Sequence, residues 1–305
     1  MSPGARDRPP TPSVIAIFGP TAVGKTAVAV SLAAAIRAEG GRPVAVSADA
    51  LQVYRGIETL TGAPSSAEQA ALDHRLVSFV GLDQHFDVAR YARLAHAEID
   101  ALLAADQTPI VIGGTGLYLR AALTELRLRP AAPPEVRARW QEALERDGSH
   151  ALHAVLAARA PWAAERIDRA DRHRLVRALE LHEINALQPP DGPSQLWTAG
   201  TRHPTRLIGL VMERDALYRK IDDRVDRIVA AGAVDQVRAA EAAGASPGVR
   251  QALGFTELLA GDVDRMKLVS RRYARRQLTW MRKLAGVEIV DVTDRSADEV
   301  AAALR

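Results

Sequence analysis

The run Val14-Ile15-Ala16-Ile17-Phe18 leads directly into Gly19-Pro20-Thr21-Ala22-Val23-Gly24-Lys25-Thr26, and an Ala-rich stretch from Ala27 to Arg37 follows. The order reads as strand, G-x-x-x-x-G-K-T turn and helix, which is the spacing of a phosphate cradle. Gly19 and Gly24 let the backbone turn so that its N–H groups converge on one point. The N-terminus of the following helix adds partial positive charge there. Lys25 can reach a terminal phosphate, and the Thr26 hydroxyl can hold a Mg²⁺ ion. The motif therefore predicts a diphosphate or polyphosphate ligand at Gly19 to Thr26. Nucleotide-binding and ATP-binding proteins share it, but these residues do not themselves select ATP.

Working outward, Val14–Phe18, Pro43–Ser47, Pro109–Ile112 and Arg206–Met212 are short apolar runs of the kind that form buried parallel strands, and long helical stretches separate most of them. Val287–Val290 is a candidate last strand. Alternating β and α predicts an α/β fold, a P-loop NTPase-like three-layer core around a parallel sheet. The rhythm breaks between 121 and 200. Helices are expected there at Pro134–Glu145, Ser149–Ala158 and Arg172–Ile184, followed by the loop-like Gln188-Pro189-Pro190-Asp191-Gly192-Pro193. We read 121–200 as an inserted helical domain and 13–120 with 201–305 as the catalytic core. A long helix is expected over Asp215–Ala243. Residues 1–12, rich in Pro and Arg, read as a short disordered tail without the apolar segment of a signal peptide.

Composition narrows the class. The chain has 305 residues, 48% hydrophobic and 25% charged, ordinary for a soluble globular protein. It has no cysteine, which excludes disulfides and thiolate metal sites. No apolar run approaches the roughly 18 residues that span a bilayer, so a cytoplasmic protein is expected. The formal net charge is only +3; any nucleic-acid surface must come from local clustering of basic residues.

Three further features carry chemistry. The second strand ends in Ser47-Ala48-Asp49, and ligands of open α/β sheets sit beyond the carboxyl ends of the strands. Asp49 can there accept a proton from a nucleophile or help order a metal; alternatively it caps the next turn. Pro109–Ile112 ends in Gly113-Gly114-Thr115-Gly116, where a P-loop ATPase would place a metal-binding acid. The glycines permit close backbone approach to a ligand and Thr115 supplies a hydroxyl, or they simply form a tight turn. Finally, Arg265 to Lys283 holds eight Lys/Arg and no Asp or Glu, with Tyr273 and Trp280 interleaved. On a helix this is a cationic face with stacking partners for an RNA backbone and exposed bases, or a solvated face.

Taken together, Gly19–Thr26, Ser47–Gly56, Gly113–Tyr118, Arg174–Glu180, Tyr218–Asp226 and Arg271–Trp280 occur in an order that resembles bacterial tRNA dimethylallyltransferases. The resemblance implies transfer of a dimethylallyl group from dimethylallyl diphosphate to N6 of the adenine at tRNA position 37, with Mg²⁺, by a monomer. It implies that Thr21 to Thr26 grip the diphosphate with Arg224 adding charge, that Asp49 is the general base, and that Thr115 belongs to the catalytic set. It also implies tRNA contacts at Asp49, Ala50, Leu51, Gln52, Thr115, Arg137, His173, Arg174, Leu175, Val176, Arg177, Gln251, Gly254, Phe255, Arg275, Arg276, Gln277, Trp280 and Arg282. The target base would be flipped into a channel through the core. The chain departs from the family pattern at Ala50, at Glu58–Pro64, where a lysine is lost, and at Arg169-Ala170.

Three other readings compete. A P-loop small-molecule kinase also places an acid after its second strand, and ATP turnover would mark it. A cytokinin-type adenylate prenyltransferase would accept free AMP, for which the insertion and Arg265–Lys283 serve no purpose. A non-catalytic RNA-binding P-loop switch would not need Asp49, Gln52 and Thr115 to converge on the cradle.

Overall fold

Five apolar runs and one two-residue edge make a single parallel sheet. In the computed structural model the strands are β1 (Val14–Phe18), β2 (Pro43–Ser47), β3 (His74–Arg75), β4 (Thr108–Gly113), β5 (Thr205–Val211) and β6 (Val287–Asp291), arranged β3-β2-β4-β1-β5-β6. The structure describes residues 13–189, 192 and 194–305. The tail expected at 1–12 and part of the loop expected at 188–193 lie outside the described residues. β1 is central: Ile17 pairs with Ile112 of β4 on one side and Ile208 of β5 on the other.

The inner strands read as continuous apolar runs because both faces are covered. Alternation sends Phe18, Val46 and Val111 into one core and Ile17, Ala45, Ile110 and Ile208 into the other. Helix Lys25–Ala38 contributes Val28 and Leu32 to the second core, and Ala297–Ala303 contributes Val300. Helix Val88–Ala104 buries Tyr91 and Ile99 in the first, beside Tyr118 and Leu119 of helix Gly116–Leu123. These are the three layers expected. Truncating a residue such as Ile17, wholly buried, to alanine would cost about 2–5 kcal/mol.

The chain forms two compact units: the described residues up to Leu126 with Leu196–Arg305, and Arg127–Gln195. The insertion is thus narrower than 121–200, because helix Gly116–Leu123 is buried in the core. Its stem is tied within the core unit. The Arg202 N–H donates to the Leu123 carbonyl at 2.8 Å, and the Arg202 guanidinium pairs with Asp100 at 2.9 Å and Glu125 at 2.7 Å. Inside the insertion, Pro134–Arg159 runs as two helices broken at Gly148, whose φ of 81° and ψ of 167° no helix permits. The long helix expected over Asp215–Ala243 is also two, Arg214–Ala230 and Ala233–Ala242, because Gly232 caps the second at φ 90°. Two-residue β3 is too short to leave a pattern in the sequence.

Candidate active site

The carboxyl ends of β1, β2 and β4 open onto one cavity of about 1060 Å³. Thr21, Ala22, Gly24, Lys25 and Thr26 line it. Gly24, at φ 99°, caps helix Lys25–Ala38, and Ala22 is held at φ 65°. Gly19 and Pro20 serve indirectly: their carbonyls accept from Lys25 Nζ at 3.0 and 2.9 Å. Val23 is buried beneath the loop in the apolar core. Burial lowers the Lys25 ammonium from 10.5 to about 8, against the raising field of Asp49, with Arg224 lowering it slightly further.

Asp49 caps the next turn, one of its two sequence readings, and does so at the cavity wall. Its Oδ1 accepts from the Leu51 N–H at 2.9 Å and the Gln52 N–H at 3.4 Å, capping the turn, while the residue lines the cavity. The glycines of 113–116 have a reason the sequence did not show. β4 lies between β1 and β2. A Cβ on Gly113 would stand 2.3 Å from the Ala48 carbonyl, and one on Gly114 would stand 3.4 Å from Lys25 Nζ and 3.2 Å from the Gly19 carbonyl. The glycines make room for the protein's own backbone beside the cradle. Gly116 similarly admits Trp280, whose ring a Cβ there would meet at 2.2 Å.

Arg224, on helix Arg214–Ala230, reaches the same cavity and donates to the Thr61 carbonyl at 3.2 Å; burial pulls its proton affinity down and Asp49 pushes it up. The loop Glu58–Pro64, atypical for the resembled family, forms a wall here. Gln236 Oε1 accepts from the Thr59 and Leu60 N–H groups at 3.0 and 3.3 Å and ties that wall to helix Ala233–Ala242. The Thr115 hydroxyl lies 3.4 Å from the Tyr273 hydroxyl. Burial pushes the Tyr273 phenol up to about 12, with the Asp49 charge adding, so it stays neutral. Tyr118, in the first turn of helix Gly116–Leu123 that Thr115 precedes, also lines the cavity, and burial raises its phenol further. Tyr118 and Tyr273 were not among the expected site residues. Tyr118 belongs to the Gly113–Tyr118 motif; Tyr273 was expected as a stacking partner for RNA, and nothing local would have flagged its place in the cavity, or Gln236.

The expected RNA contacts divide. Ala50, Leu51, Gln251 and Arg276 line the cavity, and Arg275 and Arg282 are exposed. His173 and Arg174 are exposed on helix Arg172–Glu183. Others are spent on the protein itself. Gln52 accepts from the Ser47 hydroxyl at 2.9 Å and donates to the Gly62 carbonyl at 3.0 Å. Gln277 is held at both ends by Thr21 and Gly114. Leu175, Val176 and Phe255 are buried in apolar cores, so their side chains offer no surface. Gly254, at φ 91°, turns the chain against Met266. Trp280 packs on Trp197 with ring centroids 4.8 Å apart. Arg137 and Arg177 clamp Glu180, 1% exposed, at 2.9 and 3.0 Å.

The basic helix, Val263–Met281, is likewise two-sided. Lys267 pairs with Asp226 at 2.8 Å and Arg271 with Asp222 at 3.0 Å on helix Arg214–Ala230. Among the described residues no ion pair involves Arg272, Arg275, Arg276, Arg282 or Lys283. Tyr273 and Trp280 face inward, not outward with the arginines.

Such a cavity, lined by the G-x-x-x-x-G-K-T turn and by Asp49, with the end of β4 bare of acid, defines a P-loop-like α/β protein. The chain belongs to the IPP transferase family, whose pattern matches residues 52–284. It is 42% identical over 285 residues to a tRNA dimethylallyltransferase of Anaeromyxobacter sp., covering 90% of this chain and 93% of that one. A protein of the same name from Kineococcus radiotolerans is 38% identical over 300 residues, covering 94% and 93%. Among solved structures, the full-length tRNA isopentenylpyrophosphate transferase of Bacillus halodurans superimposes with a TM-score of 0.68 at 31% identity, covering 96% of this chain and 94% of that chain.

Proposed function

We propose that this chain transfers the dimethylallyl group of dimethylallyl diphosphate to N6 of the adenine at tRNA position 37, beside the anticodon. The observation that supports it is the juxtaposition of Lys25 and Asp49 in one cavity, where β4 ends in glycines rather than an acid. The diphosphate sits in the cradle. The allylic C–O bond breaks and its electron pair leaves with the diphosphate oxygen. Backbone N–H groups, Lys25 and Arg224 stabilise that charge. The N6 lone pair forms the new C–N bond, and Asp49 takes the displaced N6 proton.

Mg²⁺ fits this donor set as a substrate-held ion. The Thr26 hydroxyl lines the cavity and makes no hydrogen bond to protein among the described residues. No group of three or more His, Asp or Glu among them could hold a metal alone, so diphosphate oxygens and water would supply the other ligands. When bound, the ion neutralises leaving-group charge. The tRNA is received by the unpaired arginines Arg275, Arg276 and Arg282 and by His173 and Arg174 of the insertion. We place the reaction in the cytoplasm, performed by a monomer. Among the described residues no helix is long and apolar enough to cross a membrane.

Incubation with labelled dimethylallyl diphosphate and either undermodified tRNA or AMP tests the reading. Label should enter tRNA and not AMP, without ATP. Stoichiometric ATP consumption would replace this reading by a kinase; equal labelling of AMP, by a cytokinin-type enzyme.

A further inference from the structure

Gln277 lies on the basic helix with 4% of its surface exposed, and both ends of its amide are engaged. Oε1 accepts from the Thr21 N–H at 2.8 Å; Nε2 donates to the Gly114 carbonyl at 2.8 Å. A Cβ at position 114 would stand 2.4 Å from Nε2, so the second bond exists because that residue is glycine. One buried side chain therefore touches both the phosphate cradle and the turn leading to Thr115. Thr21 spends its N–H on Gln277 and precedes Ala22, whose left-handed φ must be held by its surroundings. The residues before Gln277, Arg275 and Arg276, are exposed and free of ion pairs among the described residues. A buried amide with both partners in place fixes geometry, since losing either one strands an unsatisfied group.

Resting on the reading of this cavity as a diphosphate and RNA site, we propose that Gln277 is a positioning residue that couples the two ligands. RNA on Arg275 and Arg276 holds the helix; the helix holds Gln277; Gln277 holds Thr21 and Gly114 in the arrangement that grips diphosphate. Linkage requires the converse, so diphosphate raises RNA affinity by the same factor.

Calorimetry on the full chain tests this, with inorganic pyrophosphate as probe, in the presence and absence of an unmodified anticodon stem-loop. In the wild type the RNA should raise pyrophosphate affinity at least about fivefold, the lower end of common coupling. Gln277→Met keeps the length of the side chain and removes both polar ends. It should bind the stem-loop within about twofold of wild type yet lose the enhancement, and its KM for dimethylallyl diphosphate should rise more than its kcat falls. Gly114→Ala, which displaces the amide by another route, should do the same, and it decides the matter by these criteria if Gln277→Met does not fold. Absence of enhancement in the wild type, or its survival in both variants, overturns the proposal. Failure of the underlying reading looks different: a wild type that binds neither probe and transfers no prenyl group.

Discussion

The Asp49 carboxylate raises the proton affinity of Lys25 that burial lowers, so one charged pair sets the state of the cradle. With Lys25 at about 8, its ammonium is mostly protonated at neutral pH and gives up its charge through about pH 8, leaving Arg224 as the remaining cation. Bound diphosphate restores the proton. The Lys25 contribution to pyrophosphate affinity should therefore be nearly flat below pH 7 and fall by up to about tenfold per pH unit above 8. Calorimetry in two buffers of different ionisation enthalpy should show proton uptake near pH 8. The folding term has its own sign: the group is depressed from 10.5, so the unfolded chain binds the extra proton between about 8 and 10.5 and Lys25 favours folding more as pH rises there.

Asp49 has two roles that one pair of substitutions separates. Asp49→Asn keeps an oxygen for the Leu51 and Gln52 N–H groups but cannot accept the N6 proton. It should lose roughly 10²–10⁴-fold in turnover with a melting temperature near wild type. Asp49→Ala should lose as much turnover and also about 1 kcal/mol of stability, the usual weight of a cap. RNA affinity should change less than turnover in both. Near-normal turnover in either removes Asp49 from the chemistry.

On the basic helix, paired and unpaired cations should behave differently. Reversing Arg275 and Arg282 should make the plot of log K against log salt for tRNA shallower by roughly 2, with pyrophosphate binding in the absence of RNA retained. Neutralising Lys267 and Arg271, engaged by Asp226 and Asp222, should instead lower the melting temperature and leave that slope in place. Equal slopes for both sets would mean that RNA does not track this face.

Within the insertion, Arg137→Ala should destabilise by about 1–2 kcal/mol, discounted for an arginine side chain 40% exposed. Removing Arg177 as well should cost more than the sum of the single changes, because Glu180 is then a buried charge without a partner. Thermal melting reads both. His173→Ala and Arg174→Ala, on exposed positions, should weaken tRNA binding with little change in melting.

Ala22→Gly removes the Cβ from a left-handed residue and should raise stability by about 0.5–1 kcal/mol. Ala22→Val should lower it by more, measured by the same melts.

The inner strands were legible because burial on both faces forces continuous apolar runs, and the cradle because its chemistry is local in sequence. What escaped was set by distance or by partners. Gln277 meets Thr21 across 256 residues, and no local pattern announces such a bond. The arginine-rich helix could not declare which of its cations are spoken for. Its partner could: Asp222 and Asp226 stand four apart, as do Lys267 and Arg271, which is the spacing of two complementary helical stripes. Gly113 and Gly114 pointed to close approach, but only the strand order told what approaches. Gly232 and Gly148 each broke a helical stretch through a left-handed φ; the gap between two expected helices marked the second, whereas Ala-rich flanks hid the first.

Because Arg202 bridges back to Leu123 and Glu125, the core already closes the ring through which the chain leaves for residues 127–195 and returns. The entropy of bringing those ends together is then spent once, at the stem. Lengthening the excursion adds little, since doubling a flexible loop costs only about 0.6 kcal/mol. The helical insertion is in this sense a replaceable cassette. A short turn joining Leu126 to Leu196 should leave a chain that still folds its sheet and still binds pyrophosphate, and grafts of other lengths should be tolerated at the same seam.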